Sequence, residues 1–308
     1  MENNPSFPGV TQIIQNARDQ DLMIPAFNIP YMPMMEPVIQ AVVDQDSFAL
    51  IETARLEWIK FESRGPAQVA KEFFRWHRPE HVRLHLDHVP VIDEDNLRVD
   101  FLPIFQEAIY LGYESVMIDG SRLPFEENIE AVRQVVDLSH AAHIAVEAEL
   151  GAVLGHEAGP LPSYEELFSS GKGFTDVSEA RQFVRETQCD WLSVAIGNIH
   201  GAIAVGQKDQ KKVEARLALT RLVQLYEATG IPLVLHGGSG IKQEDVRQAM
   251  SRGIAKINVG TEIRQPYETT LKTGSSISKA QDAVYERTCW VLQKFLGIAG
   301  IQRKVMAA

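Results

Sequence analysis

VRLHLDHV, residues 82–89, reads as a strand that ends on a histidine, His88. Two later runs end the same way: LSVAIGNIHG (192–201) at His200 and PLVLHGGSG (232–240) at His236. In a barrel of parallel strands the C-terminal ends converge on one face, where loops build the active site. Residues far apart in sequence then meet around one point. Three imidazoles with an open fourth position form the ligand set of a catalytic zinc. The carboxylate of Asp87 lies immediately beside the first of them.

Working outward, short apolar runs alternate with helical-period segments almost throughout. Strands are predicted at MIPAFNI (23–29), FALIETA (48–54), VRLHLDH (82–88) and SVMIDGS (115–121). Four more follow at IAVEAEL (144–150), WLSVAIG (191–197), PLVLHGG (232–238) and IAKINVG (254–260). Between them, stretches such as PFEENIEAVRQVVDLSHAA and KVEARLALTRLVQLYEATG repeat apolar residues every three or four positions, the helical period. Strands apolar on both faces and alternating with helices imply a parallel sheet covered by helices. Eight such units predict a (β/α)8 TIM barrel. Nothing like GxGxxG follows the first strand, which counts against a dinucleotide fold.

Pro124 marks a helix start, and Gly112 and Gly230 lie just past helix ends. Two connections are long. GAVLGHEAGPLPSYEELFSSGKGFT precedes a helix expected near Asp176, and GAIAVGQKDQKK follows His200. Long loops inside a compact domain are often lids, and both should emerge on the histidine face. The tail after about residue 263 reads as further helix, so one domain is expected over residues 1–308.

Composition narrows the class. The 308 residues are 45% apolar, enough for a sizeable core. A net charge of −11 argues against nucleic acid or an anionic membrane as partner, though not against a small anionic substrate. Cys189 and Cys289 are the two cysteines, with no CxxC spacing, and are read as reduced thiols. MENNPSFPGV lacks the features of a secretory signal, and no apolar run is long enough to span a bilayer. A soluble cytoplasmic protein is the expectation.

One strand-end histidine is usually a structural hydrogen-bonder; the weight lies in three together. Residue type suits Zn²⁺ and leaves Fe, Co or Mn open. His77, His81, His140 and His143 lie on or beside helices and read as surface residues, while His85 shares the run of His88 and His156 sits in the suspected lid. On a regular strand Asp87 would point away from His88, unless the backbone turns at the strand end. Asp119, Glu147 and Glu149 are further carboxylates on strands. Glu147 and Glu149 share a face, and burying them is costly unless they are paired or bind metal. HGGSG and NVGT place glycines, Ser239 and Thr261 after strands seven and eight, the common phosphate site of this architecture. Two ordinary βα turns would look the same.

PAFNI, HLDH, SVMIDGSRLPFEEN, VEAELG, SVAIGNIHG, LVLHGGSG and KINVGTE, in that order between about Ile24 and Thr261, resemble the class II, metal-dependent ketose-bisphosphate (fructose- or tagatose-bisphosphate) aldolases. The resemblance implies zinc on His88, His200 and His236. It makes Asp87 the acid/base for the hydroxyl on the carbon where the bond breaks. Asp119 and Glu149 correspond to carboxylates around the metal that can hold a displaced or second cation. Glu157 matches the glutamate that takes the proton from dihydroxyacetone phosphate. Phosphate contacts carry over to Gly201, Gly237, Ser239 and Thr261, often with a monovalent cation nearby, and Asn258 matches a contact to the carbon skeleton. Lys256 is then structural or electrostatic, since no Schiff base is required. A homo-oligomer, dimer or tetramer, is expected by the same resemblance.

The departures cluster in substrate-facing segments. Ala54 stands where the family often has serine, Val89 where glycine usually follows HLDH, and Ala158 where the lid usually carries an acid. The segment after His200–Gly201 lacks the usual aromatic. The expected activity is zinc-dependent, reversible cleavage of a phosphorylated ketose to dihydroxyacetone phosphate and an aldehyde. Rivals are an aldolase for a non-standard or unphosphorylated ketose and a non-catalytic phosphosugar-binding homologue. A zinc hydrolase fits less well, because such barrels usually carry HxH on strand one, which here reads PAFNI.

Overall fold

Eight parallel strands close into a barrel in sequence order in the computed structural model of the protein, which describes residues 7–151, 164–198, 215–238 and 240–307. They are β1 Ile24–Asn28, β2 Ala49–Ala54, β3 Val82–Pro90, β4 Ser115–Asp119, β5 Ala145–Leu150, β6 Trp191–Val194, β7 Leu233–Leu235 and β8 Ile254–Val259. Closure is direct: Ala26 pairs with Leu50 of β2 on one side and with Asn258 of β8 on the other. All eight predicted strands are present, within a few residues of their expected ends.

The first helices are α1 Val10–Asp19, α2 Met35–Asp44, α3 Arg55–Lys60, α4 Pro66–Trp76, α5 Leu102–Tyr110 and α6 Phe125–His140. They are followed by α7 Tyr164–Ser170, α8 Val177–Thr187, α9 Leu219–Thr229, α10 Gln243–Met250, α11 Thr261–Lys272 and α12 Ile277–Trp290. Pro124 caps the start of α6 and Asp176 caps α8, its carboxylate accepting from the backbone N–H of Ser178 and Glu179. Gly230 ends α9 in the left-handed conformation, as its place past the periodic run predicts. Beyond α11 and α12 the chain continues through a π-helical turn, Val291–Leu296, and returns beneath α2, where Gly300 N donates to Gln45 O.

Two local expectations need correction. Within the helical-period stretch at 212–230, the described residues 215–218 are not helical, and α9 starts at Leu219. Ala215 N bonds Gly240 O, Leu217 N bonds the Asp245 carboxylate and Ala218 N bonds Ile196 O, so tertiary partners take the backbone groups a longer helix would use. The long connection after β5, expected as loop, carries a short helix, α7. Most of its remainder, 152–163, and the 199–214 connection lie outside the described residues.

Strand alternation sorts the side chains. On β3, Leu84 and Leu86 pack outward while His85 and Asp87 turn inward, and the same period places Lys256 with Asn258 and Glu147 with Glu149. The outer faces pack on the helices in a continuous apolar layer that includes Phe27, Phe48, Phe105 and Phe183. Barrel interiors are usually filled by branched apolar residues. Here Glu52, His85, Ser115, Glu147, Ser193 and Lys256 are fully buried in the strands.

Gly253 leads into β8 at φ +98°, and a Cβ there would strike the ring of Tyr226. Gly253→Ala is therefore expected to destabilise the protein by roughly 1–3 kcal/mol. Urea unfolding measures the loss; a midpoint equal to wild type would contradict this account of the β8 entry.

Candidate active site

A left-handed kink at the end of β3 builds the site. His88 adopts φ +25°, and the register between β3 and β4 shifts between Leu86 and Val89. The kink answers the geometric question raised by the sequence. On a regular strand Asp87 and His88 would face opposite ways, yet here ligand atoms of Asp87, His88 and His236 all lie within 4.8 Å of one another. A second group, His88, Asp119 and Glu149, meets the same limit, so His88 is shared between the two. The rings of His88 and His236 stand 4.5 Å apart between centroids.

The histidines and Asp87 are held by partners on other strands. His236 Nε2 lies 2.8 Å from Glu147 Oε1, and its Nδ1 lies 3.3 Å from Glu149 Oε2. His88 Nδ1 lies 3.4 Å from Asp119 Oδ2 and 3.9 Å from Glu149 Oε2. Asp119 accepts from both the N–H and the hydroxyl of Ser121. Asp87 is held from two sides: Asn28 Nδ2 donates to Oδ2 and Asn258 Nδ2 to Oδ1, each at 2.9 Å. The GSRLPFEEN segment has a structural reason too. Asn128 in the first turn of α6 donates to Glu149 O, and a Cβ at Gly120 would collide with it.

Charge sets the electrostatics. Burial would raise the carboxyl of Asp87, but His88, Lys256 and His236 hold it well below the usual range. Asp119 behaves likewise under the hydrogen bond and charge of His88. Burial also opposes ionisation of Glu147, yet Lys256 and His236 hold it down to about 2. Burial disfavours a charge on His88, but Asp87, Asp119 and Glu149 outweigh it and pull the imidazole toward its protonated form. Clustered carboxylates that make an imidazole hold a proton form a site that demands a cation. The donor set of imidazole nitrogens and carboxylate oxygens fits a divalent transition metal.

Of the predicted residues, the structure brings together Asp87, His88, His236, Asp119, Glu149 and Asn258. Gly237 and Thr261 flank the same end of the barrel, Gly237 at φ +69° after β7 and Thr261 in the first turn of α11. His200, Glu157, Gly201 and Ser239 lie outside the described residues, as does His156. Ala54 pairs in register with Asp87, so the serine-to-alanine departure sits beside the proposed base. Sequence reasoning missed Asn28 and Glu52, gave His85 no role, and left Lys256 without a partner. Their signal was a polar side chain recurring at inward positions of otherwise apolar strands. Among the histidines read as surface, His140 and His143 are exposed, whereas His77 and His81 are half-buried, His81 bonding Ser47 O.

The profile of the class-II fructose-bisphosphate aldolase family matches residues 9–304. The chain belongs to that family. It is accordingly a class II aldolase, a carbon–carbon lyase, of a family that generally depends on metal. The YdjI aldolase of Escherichia coli K12 is similar at 28% identity and TM-score 0.74, over 96% of this chain and 98% of that one. A Coccidioides immitis protein provisionally assigned as a fructose-1,6-biphosphate aldolase shares 25% identity at TM-score 0.75, over 95% and 97% of the two chains. The fructose-bisphosphate aldolase of Campylobacter jejuni shares the fold, with 17% identity and TM-score 0.71 over 94% of each chain.

Glu57 yields a pH prediction for this aldolase. Its carboxyl sits behind Ala54 and accepts from Ala54 N at 2.9 Å. Burial pushes it up to about 8, against that hydrogen bond and with help from the charge of Asp87. In the unfolded chain a glutamate titrates near pH ~4.3. Between those values the folded state keeps a proton that the unfolded chain has lost, so stability falls as pH rises through that window. Glu57→Gln should flatten that decline in urea unfolding at a series of pH values; an unchanged slope would contradict it.

Proposed function

We propose that this aldolase is zinc-dependent and reversibly cleaves a phosphorylated ketose to dihydroxyacetone phosphate and an aldehyde. The observation that carries the reading is the convergence of Asp87 with His88 and His236 within one 4.8 Å cluster at the strand ends. His88 and His236, with His200, would hold the zinc, while Asp119 and Glu149 would take a displaced or second cation. When bound, the ion supplies a Lewis acid that polarises the ketose carbonyl and stabilises negative charge developing next to it.

The chain's own groups do the rest. Asp87, ionised and fixed by two amide donors, takes the proton from the hydroxyl on the carbon where the bond breaks and returns it in condensation, as microscopic reversibility requires. Glu157 exchanges the proton on the dihydroxyacetone phosphate fragment. Gly237, Ser239 and Thr261, with Gly201, hold the phosphate through backbone N–H groups and hydroxyls, at turns where glycine lets the backbone approach an anion closely. Asn258 contacts the carbon skeleton while orienting Asp87.

A specific observation favours an altered ketose over the standard one. Ala54, beside Asp87 in register, offers no hydroxyl to a substrate held there. A panel of phosphorylated and unphosphorylated ketoses should therefore show a preferred substrate other than fructose 1,6-bisphosphate, and equal preference for it would remove this refinement.

Retro-aldol activity should vanish with EDTA and return with Zn²⁺. Asp87→Ala should lower kcat by about 10²–10⁴-fold. Turnover that survives chelation, or that is undiminished in Asp87→Ala, would sink the proposal. Tight phosphosugar binding without turnover in zinc-loaded protein would favour the non-catalytic rival.

A further inference from the structure

Lys256 is fully buried inside the barrel, where its ammonium must find acceptors in the protein. Its Nζ lies 2.6 Å from Asn258 Oδ1, 2.9 Å from Glu147 Oε2 and 3.5 Å from Glu52 Oε2. Those acceptors stand on β8, β5 and β2, so one side chain spans the interior of the barrel.

An ammonium only donates. Its contact with Asn258 therefore decides which end of that amide faces which neighbour: Oδ1 toward Lys256, and Nδ2 toward Asp87 Oδ1 at 2.9 Å. Reversed, the amide would set a carbonyl oxygen against a carboxylate oxygen. The other arm runs through Glu147. With Oε2 held by Lys256, its Oε1 is aimed at His236 Nε2, 2.8 Å away, and His236 Nδ1 faces Glu149 and the ligand cluster. A carboxylate behind a ligating histidine fixes the tautomer and the plane of the ring.

We propose that Lys256 is a positioning residue that sets Asp87 and His236 in register with each other, through Asn258 on one side and Glu147 on the other. This rests on the reading above of Asp87 as acid/base and His236 as metal ligand. Neither arm brings Lys256 to the substrate, and its place at the crossing of the two is what gives it a part in both.

Three variants separate the arms: Glu147→Gln, Asn258→Leu and Lys256→Met. Each is measured for Zn²⁺ affinity by competition with a chromophoric chelator and for kcat at saturating metal. Glu147→Gln is expected to weaken metal affinity about 10–100-fold, with kcat recovering once metal saturates. Asn258→Leu should leave metal affinity unchanged and lower kcat by roughly tenfold or more, because a misplaced base is not repaired by metal. Lys256→Met should show both losses, and excess metal should restore its occupancy but not its kcat.

Wild-type metal affinity in Lys256→Met, or a kcat fully restored by metal, overturns the proposal even if the melting temperature drops. Should Lys256→Met fail to fold, the single-arm variants decide. Unchanged affinity in Glu147→Gln, or unchanged kcat in Asn258→Leu, removes an arm and overturns it equally. Failure of the underlying reading looks different: Asp87→Asn would keep its turnover, or His236→Ala its metal affinity, in otherwise unaltered protein.

Discussion

A buried ammonium among carboxylates is the constraint on which the rest of this barrel depends. Lys256 meets Glu147 and Glu52 in the closed interior, with Asp87 two hydrogen bonds away through Asn258. Charges in such a place are costly unless paired, and breaking a pair leaves the partner uncompensated. Burial, the negative charge of Asp87 and that of Glu147 push Glu52 well above the carboxylate range, against the pull of Lys256. The deep layer thus sets the Lys256 ammonium against Glu147, with Glu52 biased toward its neutral form. Nearer the mouth, Asp87, Asp119 and Glu149 gather around His88 and His236, a set of carboxylates and imidazoles that suits a metal.

The architecture explains how that polar interior is tolerated. Short parallel strands are covered outside by a continuous apolar layer, so the inward positions can be given over to ionic and hydrogen-bonded groups without leaving the sheet unsupported. Strands two, five and eight supply the deep charges, while the ends of strands three, four, five and seven supply the rim. One left-handed residue, His88, joins the two layers, because it lets Asp87 stay in the interior row while the imidazole turns to the mouth.

Much of this was legible in the sequence, and for identifiable reasons. Eight apolar runs separated by helical periods specify the barrel, since each run must be covered on its outer face. His88, His236, Asp119 and Glu149 were readable because strand ends converge whatever the loops do. The pairing of Asp87 with His88 on one side was legible only as a condition, a turn at the strand end, because strict alternation forbids it and the φ of His88 has no sequence signature. Asn28 and Glu52 escape notice, and His85 has no evident role, because a lone polar residue inside a strand looks like an exception until the opposite wall is known. The late start of α9 follows the same rule: Leu217 and Ala218 spend their N–H groups on Asp245 and Ile196, partners that periodicity cannot reveal.

On the function proposed above, the strand-end cluster holds the metal on which the chemistry depends. Anomalous diffraction at the zinc edge, from crystals of the zinc-loaded protein with a phosphorylated ketose, tests it most directly. The account predicts a peak about 2.0–2.1 Å from imidazole nitrogens of His88, His200 and His236. It also predicts the ketose with its phosphate over the turns at Gly237 and Thr261 and a hydroxyl against Asp87. A zinc peak away from these histidines, or a ketose bound where Asp87 cannot reach it, would contradict it.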